Sequence, residues 1–154
     1  MIGLTARGIS FQTFGFMLAV GFALAGTAHA VDLITADEAK LPSAPKMGKR
    51  GGITRGPSIK VVSPSPDGRI KAPFAMKIDF EPHGGSKIDA STVKVTYLKK
   101  PEVDLTPRLK SAISESGINL ADANAPVGTH DIKIDVTDAE GRTKSEVVSF
   151  TVVK

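Results

Sequence analysis

The 154-residue chain has no cysteine and no tryptophan, and its only tyrosine is Tyr97. Without cysteine, disulfide bonds, thiol catalysis and cysteine–metal sites are excluded, so a folded domain must rely on core packing. Sugar and nucleobase sites usually use exposed aromatic rings for stacking, and such sites are disfavoured here. The net charge of +4 is mild and does not indicate a nucleic acid partner. No cofactor is predicted.

The first 30 residues have the layout of a secretory signal peptide. Arg7 is their only charged residue, an apolar run follows from Phe14 to Ala25, and Ala28-His29-Ala30 places small residues at the two positions that signal peptidase reads. The run is shorter than the roughly 20 apolar residues of a transmembrane helix. The sequence therefore predicts a leader over residues 1–30, and a periplasmic or secreted mature chain without a transmembrane span.

Residues 31–56 are predicted to be a flexible tail ahead of the folded domain. The second part of this tail, residues 46–56, contains four glycines, four cations and no acid. Such a composition cannot bury enough apolar surface to offset its ordering entropy. The cations are Lys46, Lys49, Arg50 and Arg55. We interpret them as part of a solvated linker, with contact to an anionic surface as the alternative.

A short amphipathic segment opens this tail. Its apolar residues Leu33, Ile34 and Leu41 flank a helix start at which Thr35 is suited to cap backbone N–H groups. A segment of this kind on a flexible connection suits docking into a groove on another protein. We therefore interpret it as a partner-docking tail. The alternative that the same residues allow is a fraying mature terminus.

From residue 57 onward, apolar residues alternate with polar ones in short runs separated by proline and glycine, which predicts strands. The runs are Phe74, Met76, Ile78 and Phe80; Val93, Val95 and Tyr97; Ile132, Ile134 and Val136; and Val148, Phe150 and Val152. The last two runs flank the turn Asp138–Gly141 and predict a hairpin. Several short strands in about 95 residues predict an all-β domain over 57–154, built as an antiparallel β-sandwich.

One segment departs from the alternation. It offers a capping residue, a proline at the first helical position and a terminal glycine, which are Thr106, Pro107 and Gly117. The apolar residues between them share one helical face. This pattern predicts one short helix near residues 107–116, crossing between the two sheets of the sandwich.

Three features of residues 57–154 resemble bacterial immunoglobulin-like and fibronectin type III-like exported domains. They are the turn Ser65-Pro66-Asp67-Gly68, the alternating strand Met76–Phe80, and the stretch from Gly128-Thr129-His130 to the turn Asp138–Gly141. The resemblance implies an immunoglobulin-like β-sandwich. It says little about activity, because its motifs are turns and core positions.

The same turns are also similar to those of the periplasmic copper-carrier proteins. That resemblance implies copper ligands at a histidine on the mature amino terminus and at further histidines in the domain. In this chain Val31 is the predicted first mature residue, and Arg142 follows Gly141 where a histidine is expected. The resemblance therefore extends to the fold and not to the copper site.

The remaining candidates for metal chemistry are histidines and carboxylates. His83 and His130 are the histidines of the mature chain, and two imidazoles bind a metal only with carboxylate help. A calcium site is the alternative use of the acidic residues near the last hairpin. Those residues are Asp122, Asp131, Asp135, Asp138 and Glu140. Ordinary turn chemistry explains Asp138 equally well.

No Gly-x-Ser-x-Gly motif marks a catalytic serine. The function predicted from the sequence is a non-enzymatic periplasmic protein-interaction or structural module, with a periplasmic or envelope protein as its partner. The alternative is a small-ligand or metal carrier, for copper or calcium, of the copper-carrier kind.

Overall fold

The computed structural model describes residues 30–45 and 56–154. The predicted leader, apart from Ala30, and the cations of residues 46–55 lie outside the described residues. In chain order the elements are β1 (Val31–Asp32), α1 (Ala36–Lys40), β2 (Ser58–Ser63), β3 (Gly68–Lys71), β4 (Phe74–Glu81), a 3₁₀ turn (Ala90–Thr92), β5 (Lys94–Tyr97), β6 (Val103–Asp104), α2 (Thr106–Leu109), β7 (Ile113–Ser114), β8 (Gly117–Asn124), β9 (Gly128–Thr137) and β10 (Thr143–Val153). Within these two stretches, no helix is long and apolar enough to cross a membrane.

The strands form two sheets, which confirms the predicted all-β sandwich. The first sheet has the order β1-β8-β4-β2, with β7 also paired to β8, and the second has the order β3-β10-β9-β5-β6. Neighbouring strands are antiparallel, except that β1 runs parallel to β8 and β3 runs parallel to β10. Each of the two parallel strands thus lies at one edge of a sheet.

The core between the sheets is built from the alternating residues that the sequence predicts. On β4 the residues Phe74, Met76, Ile78 and Phe80 are buried while their neighbours are less so. Across the sandwich, the rings of Phe74 and Phe150 meet edge to face with centroids 5.4 Å apart. This geometry suits the quadrupoles of two aromatic rings.

The predicted last hairpin is confirmed as β9 and β10, paired from Thr137–Thr143 to Gly128–Val152. Its turn is closed by a hydrogen bond in which the Gly141 N–H donates to the Asp138 carbonyl at 2.9 Å. Gly141 has φ +77°, a conformation that side chains disfavour. A glycine is therefore required where the chain reverses.

The helix predicted over 107–116 is present but much shorter. α2 ends at Leu109, and Ile113 instead pairs with Ile118 in the β7–β8 hairpin. The hairpin starts from Gly117, where a Cβ would lie 2.0 Å from the Ile78 carbonyl oxygen of β4. The pairing of β7 with β8 thus overrides the helical pattern. As predicted, α2 lies in the connection from the second sheet to the first.

Two short strands, β7 and β1, cover the outer edge of β8. β7 pairs only with Gly117 and Ile118, and β1 pairs with Ala123 and Asn124 at the other end of the strand. The chain between β6 and β8 therefore covers only one end of β8. The position beside the other end is filled by β1, which precedes β2 in the sequence. We call residues 31–45 the N-terminal segment.

Candidate functional site

The N-terminal segment packs on the domain, which corrects its interpretation as a flexible docking tail. Leu33 has no exposed surface and Ile34 is only 3% exposed, and both belong to the hydrophobic core. Their N–H groups both donate to the Asn124 carbonyl, at 2.9 and 3.3 Å. Burying such a side chain contributes about 1.5–3 kcal/mol. Two of the three predicted partner-docking residues are thus occupied within their own chain, whereas Leu41 is half-buried.

Helix α1 follows directly and carries the predicted cap. The Thr35 hydroxyl accepts from the Glu38 N–H at 3.3 Å, and the Thr35 N–H donates to the Glu38 carboxylate at 2.9 Å. This reciprocal pair is a capping box. Glu38 also faces the domain, since its side chain is only 18% exposed.

An ion pair joins α1 to α2. The two guanidinium nitrogens of Arg108 donate to the two Glu38 carboxylate oxygens at 2.6 and 2.8 Å, and one of them also donates to the Leu33 carbonyl at 2.8 Å. The Arg108 hydrogen bonds lower the pKa of Glu38 from 4.5 to about 2. The planar guanidinium binds both carboxylate oxygens at once, which a lysine ammonium cannot do in this geometry. This pair therefore fixes the position of the segment as well as adding stability.

Lys99 holds the other end of the N-terminal segment. It is 7% exposed, and its ammonium donates to the Ala39 carbonyl at 3.1 Å and to the Ser43 hydroxyl at 3.5 Å. The same ammonium lies 5.3 Å from the centre of the Tyr97 ring, within cation–π range. A lysine at the end of a strand resembles any surface lysine in the sequence. Sequence reasoning therefore missed this contact.

Tyr97 and His130 form a buried polar pair behind Lys99. The Tyr97 hydroxyl lies 2.8 Å from His130 Nδ1, and His130 Nε2 lies 2.8 Å from the Pro126 carbonyl oxygen. Because a carbonyl only accepts, we assign the imidazole proton to Nε2 and the hydroxyl as donor to Nδ1. Burial lowers the pKa of His130, and burial raises the pKa of Tyr97 to about 12. Both groups are thus neutral near pH 7.

The two candidate metal-binding histidines lie at opposite ends of β9. His130 is near its start, whereas the His83 carbonyl accepts from Arg142, just beyond its end, at 3.1 Å. The strand between them spans roughly 24 Å at about 3.4 Å per residue. His83 is exposed and His130 has both ring nitrogens in hydrogen bonds. The structure therefore does not bring the two imidazoles together.

Asp138, one of the candidate calcium ligands, is already saturated by its own turn. One carboxylate oxygen accepts from the N–H groups of Glu140 and Arg142, and the other accepts from Arg142 Nε at 2.7 Å. Burial opposes ionisation, but these hydrogen bonds keep the pKa of Asp138 below its ordinary value. Arg142 also pairs with Glu140 at 3.0 Å. The residue that stands in place of the expected histidine thus closes the turn.

The other carboxylates of β9 face hydroxyls of β10. Asp131 accepts from Ser149 and Asp135 accepts from Ser145, while Lys133 lies 3.0 Å from Asp135. Among residues 30–45 and 56–154, no group of three or more His, Cys, Asp or Glu side chains is placed to hold a metal ion. Asp131 and Asp135 thus serve cross-strand contacts between β9 and β10.

The opposite edge of the first sheet is β2. Among the described residues no strand pairs with its outer side, and its Val62 is 43% exposed. The pairing of β2 with β4 is irregular between Val61 and Ser63, so Val62 lies at a bulge. Val127, in the β8–β9 loop, is the other large exposed hydrophobic residue of the described part, at 58%.

No family model and no curated protein matches this chain. Among solved structures it is similar to CopC from Methylosinus trichosporium OB3b, with 17% identity and a TM-score of 0.42 over 62% of this chain and 93% of that one. It is similar to the endo-beta-1,4-mannanase from Thermotoga petrophila, with 14% identity and a TM-score of 0.44 over 68% of this chain and 21% of that one. It is also similar to the fibronectin(III)-like modules of Clostridium thermocellum CbhA, with 16% identity and a TM-score of 0.41 over 62% of this chain and 46% of that one.

The class of protein that the two sheets and their buried alternation define is an immunoglobulin-like β-sandwich, as the first resemblance implies. The likeness concerns the fold alone, since identities of this size carry no site residues with them.

Proposed function

We propose that this protein is a non-enzymatic, exported interaction module that binds a protein partner by strand pairing along β2. The observation that carries the proposal is the length of this free edge. The five edge strands β1, β7, β6, β3 and β2 have 2, 2, 2, 4 and 6 residues. An edge strand offers unpaired N–H and C=O groups to an extended segment of another chain.

Features of β2 support a selective contact rather than open-ended association. Lys60 is exposed on the strand, and the bulge at Val62 shortens the stretch over which regular pairing is possible. Charges and bulges of this kind protect edges against indiscriminate pairing. Val62 supplies an exposed apolar side chain for the partner to cover, as in the apolar centre of an interface.

The pattern of residues 1–30 supports export, and the position of β1 is compatible with it. β1 begins at Val31, directly after the predicted cleavage position at Ala30. Removal of the leader therefore leaves the contacts of the N-terminal segment intact. The partner is accordingly expected in the periplasm or the envelope, or outside the cell.

The two exposed valines provide a matched test. The mature protein and its Val62→Lys and Val127→Lys variants are used as baits for affinity capture from the envelope fraction of the native host. Because both residues are exposed, all three baits are expected to unfold at the same temperature. A partner retained by the wild type and by Val127→Lys, and lost by Val62→Lys, supports the proposal. Equal capture by all three baits, or no capture by the wild type, contradicts it.

A further inference from the structure

We infer that the N-terminal segment exchanges between copies of this protein, so that residues 31–45 of one copy dock on β8 of a second copy. The strand position beside Ala123 and Asn124 is filled by a segment that precedes β2, not by a neighbour of β8 in the sequence. Every contact of that segment with the domain is non-covalent. Only the ten residues 46–55 connect the segment to its own domain.

The docking site is chemically matched to this segment, which identifies the occupant as a second copy. Leu33 and Ile34 are buried in the core, and the Arg108 guanidinium binds the Glu38 carboxylate. At the other end, the Lys99 ammonium takes the Ala39 carbonyl. A second copy presents the same groups in the same order. Exchange therefore replaces each contact within one copy by the same contact between two copies. This is the usual basis of domain swapping.

Concentration decides between the closed and the exchanged form. A short connection holds a segment at a local concentration on the order of millimolar around its own domain. At micromolar protein the closed monomer therefore predominates. Exchange accumulates when the protein is concentrated, and it requires that Leu33 and Ile34 leave the core of one copy before they enter that of another.

The absence of cysteine permits a direct test with single-cysteine variants. Asp32 and Asn124 are backbone partners across β1 and β8, their side chains are hydrogen-bonded at 2.9 Å, and both are exposed. Asp32→Cys and Asn124→Cys are mixed at high concentration, incubated, diluted and oxidised. The disulfide between positions 32 and 124 is quantified by mass spectrometry of the linked peptides.

The control mixture pairs Asp32→Cys with Val62→Cys, since Val62 lies at the opposite edge of the same sheet. We expect the 32–124 linkage between molecules to exceed the 32–62 linkage at least fivefold and to rise with incubation concentration. The double variant carrying both Asp32→Cys and Asn124→Cys is expected to form the linkage within one chain. Equal yields in the two mixtures overturn the exchange. Absence of the internal linkage in the double variant overturns the docked geometry and the exchange with it.

Discussion

Replacing Leu33 by alanine tests whether the N-terminal segment is part of the folded domain. The side chain has no exposed surface and belongs to the core cluster. Truncating a buried leucine removes its transfer free energy and leaves a cavity, which together cost 2–5 kcal/mol. We expect the Leu33→Ala variant to lose about 3 kcal/mol of unfolding free energy, whereas a leucine in an unattached tail would lose almost nothing.

The expected loss converts into a large thermal shift. The described fold contains roughly 115 residues, and an unfolding entropy of about 2.1 cal/mol/K per residue gives a decrease in melting temperature of about 12 °C. The assay is thermal unfolding of residues 31–154 at pH 7, followed by circular dichroism. The matched control is Leu41→Ala, because Leu41 belongs to the same segment but is only half-buried.

The control variant is expected to lose about 1 kcal/mol or less, which corresponds to about 4 °C. If the two variants unfold within about 2 °C of each other, Leu33 is not a core residue and the docked segment is wrong. A decrease confined to Leu33→Ala would establish that residues before β2 stabilise the sandwich.

Three further predictions concern the charged and polar groups around the segment. Glu38→Gln should lower the free energy of unfolding by about 1 kcal/mol at neutral pH. Because Arg108 lowers the pKa of Glu38 from 4.5 to about 2, this loss should be complete above pH 4.5 and vanish towards pH 2. Burial lowers the pKa of His130, so the unfolded chain takes up its proton first and the melting temperature should fall as the pH decreases below about 6.5; a flat profile between pH 7 and 5 would contradict this. Tyr97 is the only tyrosine, and its phenolate absorbance should appear near pH 12 in the native protein and near pH 10 after unfolding.

The elements that local patterns determine could be predicted from the sequence. β4 needs only its alternation of apolar and polar residues, and the β9–β10 hairpin needs only two such runs around a turn that ends in Gly141. The cap at Thr35 is equally local, since its partner Glu38 is three residues away. In each case the residues that show the sequence pattern are the same residues that form the element.

The docked segment could not be predicted, because its cause lies elsewhere in the chain. Leu33 and Ile34 are buried only because the connection from β6 to β8 leaves a strand position open. The nearest sequence signal is the lack of an alternating run between Glu102 and Gly117. α2 was overestimated for a similar reason, since the partner that draws Ile113 into β7 is Ile118 beyond the turn. The hydrogen bond between His130 and Tyr97 could not be predicted either, because the two residues are 33 positions apart in the sequence.

The order in which the chain is synthesised gives the pairing of Val31 with Ala123 a further consequence. β1 is synthesised long before β8, the strand with which it pairs, because β8 follows about 90 residues later. Contacts of such large sequence separation form slowly, because a long loop must close first. Until β8 has emerged, the core cannot receive Leu33 and Ile34. Most of the chain is therefore synthesised before the fold can be completed.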